Sequence, residues 1–272
     1  MKRGKNYILI SLALIYITAC SQSSDVKRDV DDSYQSLAKS LTEEQLKQID
    51  KQELAKGNGD STFFRGKATV YFWRKEYDLA INEIDKELEK NPTNSDALHL
   101  KGSCLSKNGK QQDAIEYINK AIEIKDTIST YYYNRALAHD RMGNILKAIP
   151  DYEKAHELKP TDEKAINNLG MCYFDLEMFD KSEEVFRKIV YTNRNNLFAN
   201  KNLALSCLRQ NKLEEAEKYY KIANDIEPNN SEILYTIGII CAKQEKDEAC
   251  DWFKAAEKSG FQLPNEVKQI CE

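Results

Sequence analysis

Small side chains recur at one fixed interval along most of this chain of 272 residues. One series contains Ala68, Gly102, Ala136, Gly170, Ala204 and Gly238, and the step between its members is called the repeat interval below. A second series with the same step, twelve residues after the first, contains Ala80, Ala114, Ala148, Ser182 and Ala216. Proline recurs at twice the repeat interval, at Pro92, Pro160 and Pro228. A fixed period of this size is typical of repeat proteins, in which each repeat is one supersecondary unit that packs against its neighbours.

The three series resemble the tetratricopeptide repeat (TPR), a helix-turn-helix unit with small residues where its helices cross. On this frame the repeats occupy residues 61–94, 95–128, 129–162, 163–196, 197–230 and 231–259. The resemblance implies an all-α fold, a right-handed superhelical α-solenoid of about six TPR repeats. A side chain larger than alanine at a crossing would hold the backbones apart and cost about 1 to 3 kcal/mol.

Departures from the pattern fall at a few turns and helix ends. Asp126 and Arg194 stand where proline is usual, which we expect only to blur two helix ends. The last repeat has a turn shortened by one residue, between Cys241 and Ala249. Pro150 lies inside a second helix and is predicted to kink or restart it.

Each end of the array is predicted to carry a helix. Residues 34–57 form the N-terminal one, with Thr42 and Gln45 as a capping box, and this segment either caps the first repeat or folds back into the groove. At the other end, Gly260 stops the last repeat helix, and Pro264 is the first residue of a capping helix at 264–272.

The N-terminus has the features of a bacterial lipoprotein signal. Basic residues precede an apolar run, 7–19, that is shorter than the roughly 20 residues needed to span a membrane as a helix. Residues 17–20, Ile-Thr-Ala-Cys, resemble a lipobox, so we predict a signal peptide at 1–19, palmitate or a similar lipid on Cys20, and a flexible tether at 20–33. The alternative is an ordinary cleaved signal followed by a free cysteine. Ser21 resembles the residue that sorts such lipoproteins to the outer membrane. Two alternatives stay open for the side of that membrane on which the chain lies, the periplasm and the cell exterior.

Composition and charge exclude several classes of function. The net charge is −4 and becomes more negative once Lys2, Arg3 and Lys5 leave with the signal, so no nucleic-acid partner is expected. We find no phosphate-binding glycine loop, no nucleophile elbow and no metal-ligand spacing around the three histidines, and therefore expect no enzyme activity, cofactor or metal. The pairs Glu183-Glu184 and Glu214-Glu215 are interpreted as solvated helix exteriors.

Six cysteines follow Cys20 in a chain that the signal sends to an oxidising compartment. Four of them, Cys104, Cys172, Cys207 and Cys241, lie at positions 10 or 11 of first helices and are interpreted as buried apolar side chains. Cys250 and Cys271 flank a tight turn near Phe261 at similar distances, so antiparallel packing would bring them together as a disulfide that clasps the end of the array.

The resemblance to TPR proteins implies a concave groove formed by the first helices of the repeats. Asn134, Asn168 and Asn202 occupy the same groove position in three consecutive repeats, and their amides could pair with the backbone of a bound peptide. The alternative is that asparagine here only reflects the ancestry of the repeat. The rest of the predicted groove consists of Tyr133, Arg141, Met171, Phe174, Lys201, Leu205, Arg209 and Tyr235. Further cations expected along it are Arg65, Lys107 and Lys243.

A groove with cations and aromatic side chains suits a peptide that carries apolar anchors and some carboxylates. Lys201 is followed by Leu205 where family members that clamp a C-terminal carboxylate carry asparagine, so that clamp is not supported. The sequence thus favours an envelope-anchored adaptor or scaffold that binds a protein or peptide partner. Two alternatives stay open: a structural protein that self-associates as a homodimer, and a glycan-binding surface lipoprotein.

Overall fold

The computed structural model describes residues 36, 39–48 and 61–271. The predicted signal at 1–19, Cys20 and the tether at 20–33 lie outside the described residues, as does most of the predicted N-terminal helix at 34–57. From residue 61 onward the described chain consists of helices and turns, with no strand among them. No helix of the described residues is both apolar enough and long enough to cross a membrane.

Thirteen helices follow one another from residue 61, in pairs that confirm the predicted all-α fold of tandem helix pairs. They are α1 (Ser61–Trp73), α2 (Tyr77–Lys90), α3 (Ser95–Lys107), α4 (Gln111–Ile124), α5 (Ser129–Arg141), α6 (Ile145–Leu158), α7 (Glu163–Asp175), α8 (Phe179–Thr192), α9 (Leu197–Arg209), α10 (Leu213–Ile226), α11 (Ser231–Lys243), α12 (Ala249–Lys258) and α13 (Asn265–Ile270). The described chain divides into two compact units, one that ends at Asn144 and one that begins at Ile145. Each unit is described by itself below.

Helix starts and turns follow the same repeat interval as the small side chains. Asn94, Asp162, Asn196 and Asn230 cap first helices, and each accepts hydrogen bonds from backbone N–H groups of the first turn. The turn from a first to a second helix places one residue at positive φ in every pair: Lys75, Gly109, Gly143, Glu177, Asn211 and Glu245. Glycine adopts this conformation without strain, as at Gly109 and Gly143.

The glycines of the first series lie where two helices cross closely. A Cβ atom added to Gly102 would lie 2.6 Å from Ile118 Cγ1 and 2.9 Å from the Ala114 carbonyl oxygen, and one added to Gly170 would lie 2.6 Å from Phe186 Cζ. The second helix of the pair therefore fills the space that a side chain on the first helix would need. At these positions even alanine does not fit without a shift of the neighbour.

The described part of the N-terminal segment packs on the first repeat. Leu41 and Leu46 are buried in one apolar cluster with Val70 and Tyr71 of α1. The predicted capping box forms, since Gln45 N–H donates to Thr42 Oγ1 at 3.2 Å and Thr42 N–H donates to Gln45 Oε1 at 2.7 Å. Of the two arrangements that the sequence left open, residues 39–48 adopt the cap.

The C-terminal end closes on the last repeat pair. Gly260 has φ of 94°, after α12 ends at Lys258. Pro264 was predicted to be the first residue of the capping helix. In the structure it is the N-cap residue, and α13 begins one residue later, at Asn265. Cys250 and Cys271 are joined in a disulfide, and Lys268 forms an ion pair of 2.8 Å with Glu257. Pro150 was predicted to kink or restart its helix. α6 runs through this residue as one helix, so it does not restart there, and the kink stays a prediction.

Candidate functional site: the first-helix face

We define the first-helix face as the side chains on which the sequence placed the groove, and describe it for each unit by itself. In the first unit it consists of Tyr133, Asn134 and Arg141 on α5. In the second unit it consists of Asn168, Met171 and Phe174 on α7, Lys201, Asn202, Leu205 and Arg209 on α9, and Tyr235 on α11. None of these described side chains is buried, and Arg141 and Arg209 are exposed. Their helices bury other residues, such as Ala136 and Leu203, at 0% exposure. The face is thus accessible on both units, as a binding surface requires.

In the first unit, Asn134 joins α5 to α3. Its Nδ2 donates to His99 Nε2 at 2.7 Å and to Ser103 Oγ at 3.1 Å. An amide nitrogen can only donate, so this contact requires the neutral imidazole with its proton on Nδ1. The His99 ring stacks on Tyr131 at a centroid distance of 4.6 Å, and Tyr131 donates to Asp96 at 2.6 Å. Asn134 therefore has a structural role between repeats.

The other two asparagines of the predicted ladder have different partners. Asn168 Nδ2 donates to Tyr152 OH at 3.2 Å, and Asn202 Nδ2 donates to the Phe198 carbonyl oxygen, one turn earlier in α9, at 3.0 Å. The three amides occupy equivalent sequence positions, but each makes its own local hydrogen bonds. A role for them in clamping a peptide backbone stays a prediction.

Aromatic side chains of the second unit lie beside cations and beside the C-terminal end. The Arg209 guanidinium lies 5.8 Å from the centroid of the Phe174 ring, within the range of a cation–π interaction. Tyr235 stacks on Phe261 at a centroid distance of 4.2 Å, so one side of its ring is covered by the segment after α12.

The cations that the sequence placed along the groove, within the first-helix face and beside it, differ in their partners. Arg65 lies 3.8 Å from Glu87 and 3.6 Å from Asp96, so its charge is compensated. Arg141 donates to Ser106 Oγ at 3.0 Å. Within residues 39–48 and 61–271, none of Lys107, Arg141, Lys201, Arg209 and Lys243 has a carboxylate at ion-pair distance. These five positive charges are available to a ligand.

The interpretation of Glu183 as part of a solvated exterior is wrong. Its side chain is buried and accepts from Arg187 Nε, Gln210 Nε2 and Lys212 Nζ, each at 2.8 Å. Burial alone would raise the pKa of this carboxyl, but the hydrogen bonds from Lys212, Arg187 and Gln210 outweigh that effect and lower it. Glu183 thus holds α8 to the turn that follows α9, whereas Glu184 and Glu214 are exposed as expected.

The next pair of repeats contains the same arrangement one repeat interval later. Glu217 is buried and accepts from Lys246 at 2.5 Å, from Gln244 at 2.8 Å, and lies 2.7 Å from Lys221. Although burial acts to raise the pKa of Glu217, the hydrogen bonds from Lys221, Lys246 and Gln244 dominate and lower it to about 2. These two clusters are ion networks that join successive repeats.

Each network also contains a cysteine and a second carboxylate, a donor set that a metal could use. Glu183, Cys207 and Glu215 have their ligand atoms within 4.8 Å of one another, and so do Glu217, Cys241 and Glu248. Burial raises the pKa of Cys207 to about 12 and that of Cys241 to about 11, so both thiols stay protonated near neutral pH. Because lysine and arginine already neutralise the carboxylates, the clusters do not fit a cation.

The ion network predicts a specific pH dependence of stability. Glu217 has its pKa lowered from 4.5 to about 2 in the folded chain, so its contribution is complete above pH 4.5 and is lost as the pH falls toward 2. Glu217→Gln should therefore lower the free energy of unfolding by about 1 kcal/mol near neutral pH and by nothing at the acidic limit. Thermal unfolding between these limits measures the difference. The matched control is Glu214→Gln, at an exposed position. If Glu217→Gln lowered the free energy of unfolding by the same amount at every pH, the assignment would be contradicted.

Comparisons with known proteins recognise tetratricopeptide repeats in the chain. Two family descriptions match: the N-terminal TPR repeats region of Psidin over residues 71–198, and the tetratricopeptide repeat over residues 202–230. Among curated relatives, the BBSome complex member BBS4 of Bos taurus is 24% identical over 172 residues, which are 63% of this chain and 33% of that protein. The chain spans a third or less of the length of the first curated relatives that it matches.

Solved structures show the same fold. The C-terminal part of a TPR repeat-containing protein from Cytophaga hutchinsonii matches with a TM-score of 0.72 at 18% identity, covering 97% of this chain and 99% of that one. YrrB, described as a TPR protein with an unusual peptide-binding site, matches with a TM-score of 0.59 at 19% identity, covering 69% of this chain and 96% of that one. At this level of identity the likeness concerns the fold alone.

Proposed function

We propose that this chain, which carries tetratricopeptide repeats, is a lipid-anchored adaptor of the bacterial cell envelope that holds a peptide segment of a protein partner on its first-helix face. Repeats of this kind act in protein–protein interaction scaffolds, and YrrB is described as having a peptide-binding site. The partner that fits the face carries carboxylates together with apolar side chains. No step of catalysis is part of this role.

The observation that carries the proposal is the set of uncompensated cations on the first-helix face. Two lysines elsewhere in the second unit, Lys212 and Lys246, are instead used in ion pairs. A chain with a net charge of −4 nonetheless leaves Arg141 in the first unit, and Lys201 and Arg209 in the second, without carboxylates at ion-pair distance among the described residues, and Arg209 lies 5.8 Å from the Phe174 ring. Complementary charge increases the rate of encounter and fixes the register of a bound segment.

The envelope half of the proposal comes from the N-terminal sequence. A basic and then apolar segment that ends in Ile-Thr-Ala-Cys is suited to export followed by lipidation of Cys20. Each buried methylene of the lipid contributes about 0.8 kcal/mol of membrane affinity, so several acyl chains anchor a protein without a membrane-spanning helix. Incorporation of labelled palmitate into the chain, and its loss in Cys20→Ala, tests the anchor. Ser21 supports outer-membrane sorting.

Charge reversal on the face tests the adaptor role. Arg141→Glu with Lys201→Glu should abolish recovery of the partner that crosslinks to the chain in native membranes, because two attractive contacts become repulsive. Lys110→Glu with Lys254→Glu is the matched control, since it makes the same change in net charge at exposed positions away from the face. Partner recovery is measured by mass spectrometry, and oligomer size by analytical ultracentrifugation.

The outcomes separate the adaptor from the self-associating scaffold. Loss of the partner with unchanged oligomer size supports the adaptor. Dissociation of a homodimer with the partner retained would contradict it and support self-association. Equal loss in the control variant would also contradict it, because the effect would then follow net charge alone.

A further inference from the structure

A surface pocket of about 680 Å³ lies on the second-helix side of the second unit, away from the first-helix face. It is lined by α8, by the turn that follows α8, and by α10. Its apolar and aromatic lining consists of Val190, Tyr191, Tyr219 and Ile222. Tyr191 is 86% exposed, so most of its ring is accessible to a ligand.

The pocket is cationic although the chain as a whole is acidic. Its lining includes Arg187, Arg194 and Lys218 and contains no carboxylate. Arg187 is compensated, since it pairs with Glu183 and Glu215 and donates to Tyr219 OH at 3.1 Å. In the part of the chain that the structure describes, neither Arg194 nor Lys218 forms an ion pair. Lys218 Nζ lies 5.3 Å from the centroid of the Tyr219 ring.

This combination is specific to one pair of repeats. One repeat interval before and after Arg194 the chain has Pro160 and Pro228, the usual residue of the repeat. At the same distance from Tyr191 it has Glu157 and Asp225, and one repeat interval before Lys218 it has Glu184. At the positions equivalent to Tyr191 and Arg194, and at the position one interval before Lys218, the chain therefore carries acidic residues or proline, whereas this pocket has a tyrosine and two cations there.

The repeat architecture does not require Arg194. The second helices α8 and α10 both have 14 residues, although proline follows α10 at the equivalent position and arginine follows α8. Arg194 replaces the usual proline without a change in helix length, and it lines the pocket without a carboxylate partner, so its charge can act on a ligand there. An exposed tyrosine beside it adds contact area of the kind that protein interfaces use.

We infer that this pocket is a second protein-binding site, which takes an acidic linear segment of a partner in which an apolar side chain lies between carboxylates. The apolar side chain contacts Val190, Tyr191 and Ile222, and the carboxylates pair with Arg194 and Lys218. The site is separate from the first-helix face, so it does not rest on the function proposed above. Two such sites on one chain would let it hold two segments at once.

Photocrosslinking at the pocket tests this inference on the full chain in detergent. Benzoylphenylalanine replaces Tyr191, and the probe is a fluorescein-labelled ten-residue peptide in which leucines alternate with pairs of glutamates. Arg194→Glu with Lys218→Glu is expected to reduce the crosslinked probe at least tenfold. Arg141→Glu with Lys201→Glu should leave it within twofold, since that variant alters only the first-helix face. Circular dichroism confirms that each variant is folded.

Several results would overturn the inference. One is an equally strong crosslink to a peptide with glutamine in place of every glutamate, because binding in the pocket would then not depend on the negative charge of the peptide. Another is an equal yield when the crosslinker is placed at Leu146, an exposed position on α6 of the same unit that does not line the pocket. Crosslinking of two copies of the chain in place of the probe would also overturn it. Loss of signal only in Arg141→Glu with Lys201→Glu would assign the probe to the first-helix face.

Discussion

Gly170→Ala is expected to lower the free energy of unfolding by about 1 to 3 kcal/mol, even though alanine is the better helix former by about 1 kcal/mol. The added Cβ would lie 2.6 Å from Phe186 Cζ and 2.9 Å from both Cε atoms of that ring. Phe186 is fully buried, so its ring cannot move into solvent to make room. Urea unfolding of the two proteins measures the change.

A second substitution separates the clash from other causes. In a Phe186→Leu background the ring is gone, so Gly170→Ala should cost little or become stabilising through helix propensity. Phe186→Leu has its own cost, which the double-mutant cycle removes. If Gly170→Ala were equally destabilising in both backgrounds, close packing against Phe186 would not be its cause, and the explanation of the small-residue series would be wrong at this crossing.

Loss of the disulfide between Cys250 and Cys271 is expected to free the C-terminal end of the second unit. The two cysteines are 21 residues apart in sequence, and closing a loop of that length contributes about 3 kcal/mol on the chain-entropy model. The helix that it fastens, α13, has only six residues and would be marginal alone. Hydrogen exchange of Cys250→Ser with Cys271→Ser should show lost protection in α12 and α13.

The first unit supplies the internal control for this experiment. Protection of α3 and α4 should be unchanged, because a clasp at the end of a repeat array acts on neighbouring helices first. Reduction of the native protein should reproduce the variant, and a reductant should have no effect on the variant itself. Equal protection of α13 with and without the bridge would contradict the assignment of the disulfide as an end clasp.

The repeat interval was enough to predict most of the fold, because it indicated both the alternation of helices and the close crossings at Gly102 and Gly170. Two further series with the same interval went unnoticed: the caps at Asn196 and Asn230, and the turn residues at positive φ. Both could have been found, because helix caps and left-handed turns favour asparagine, aspartate and glycine.

The ion networks could not be predicted as easily. Glu183 looks like a surface residue because it stands beside Glu184 in a charged stretch, and its partners Gln210 and Lys212 are about a repeat away in sequence. Only the packing of successive repeats brings these groups together. The available signal was the recurrence of three residue types at the repeat interval: glutamate at 183 and 217, glutamine at 210 and 244, and lysine at 212 and 246.

The candidate site was predicted as a set of positions but not as a set of contacts. The sequence placed the asparagines at equivalent positions, and the structure gives Asn134 and Asn202 different hydrogen-bond partners. It placed Tyr235 in an open groove, and Phe261 covers one side of its ring. Such contacts depend on neighbours that a repeat pattern does not specify, since the pattern fixes the backbone and leaves the surface side chains free.

The most direct test of the account is photocrosslinking in living cells from the first-helix face, with benzoylphenylalanine in place of Leu205 and Cys20 intact. The account predicts that one partner protein is captured from this position and that Arg141→Glu with Lys201→Glu removes it, whereas Lys110→Glu with Lys254→Glu does not. Capture of no protein from Leu205, or capture that persists after the reversal on the face, would contradict the claim that this face holds a partner.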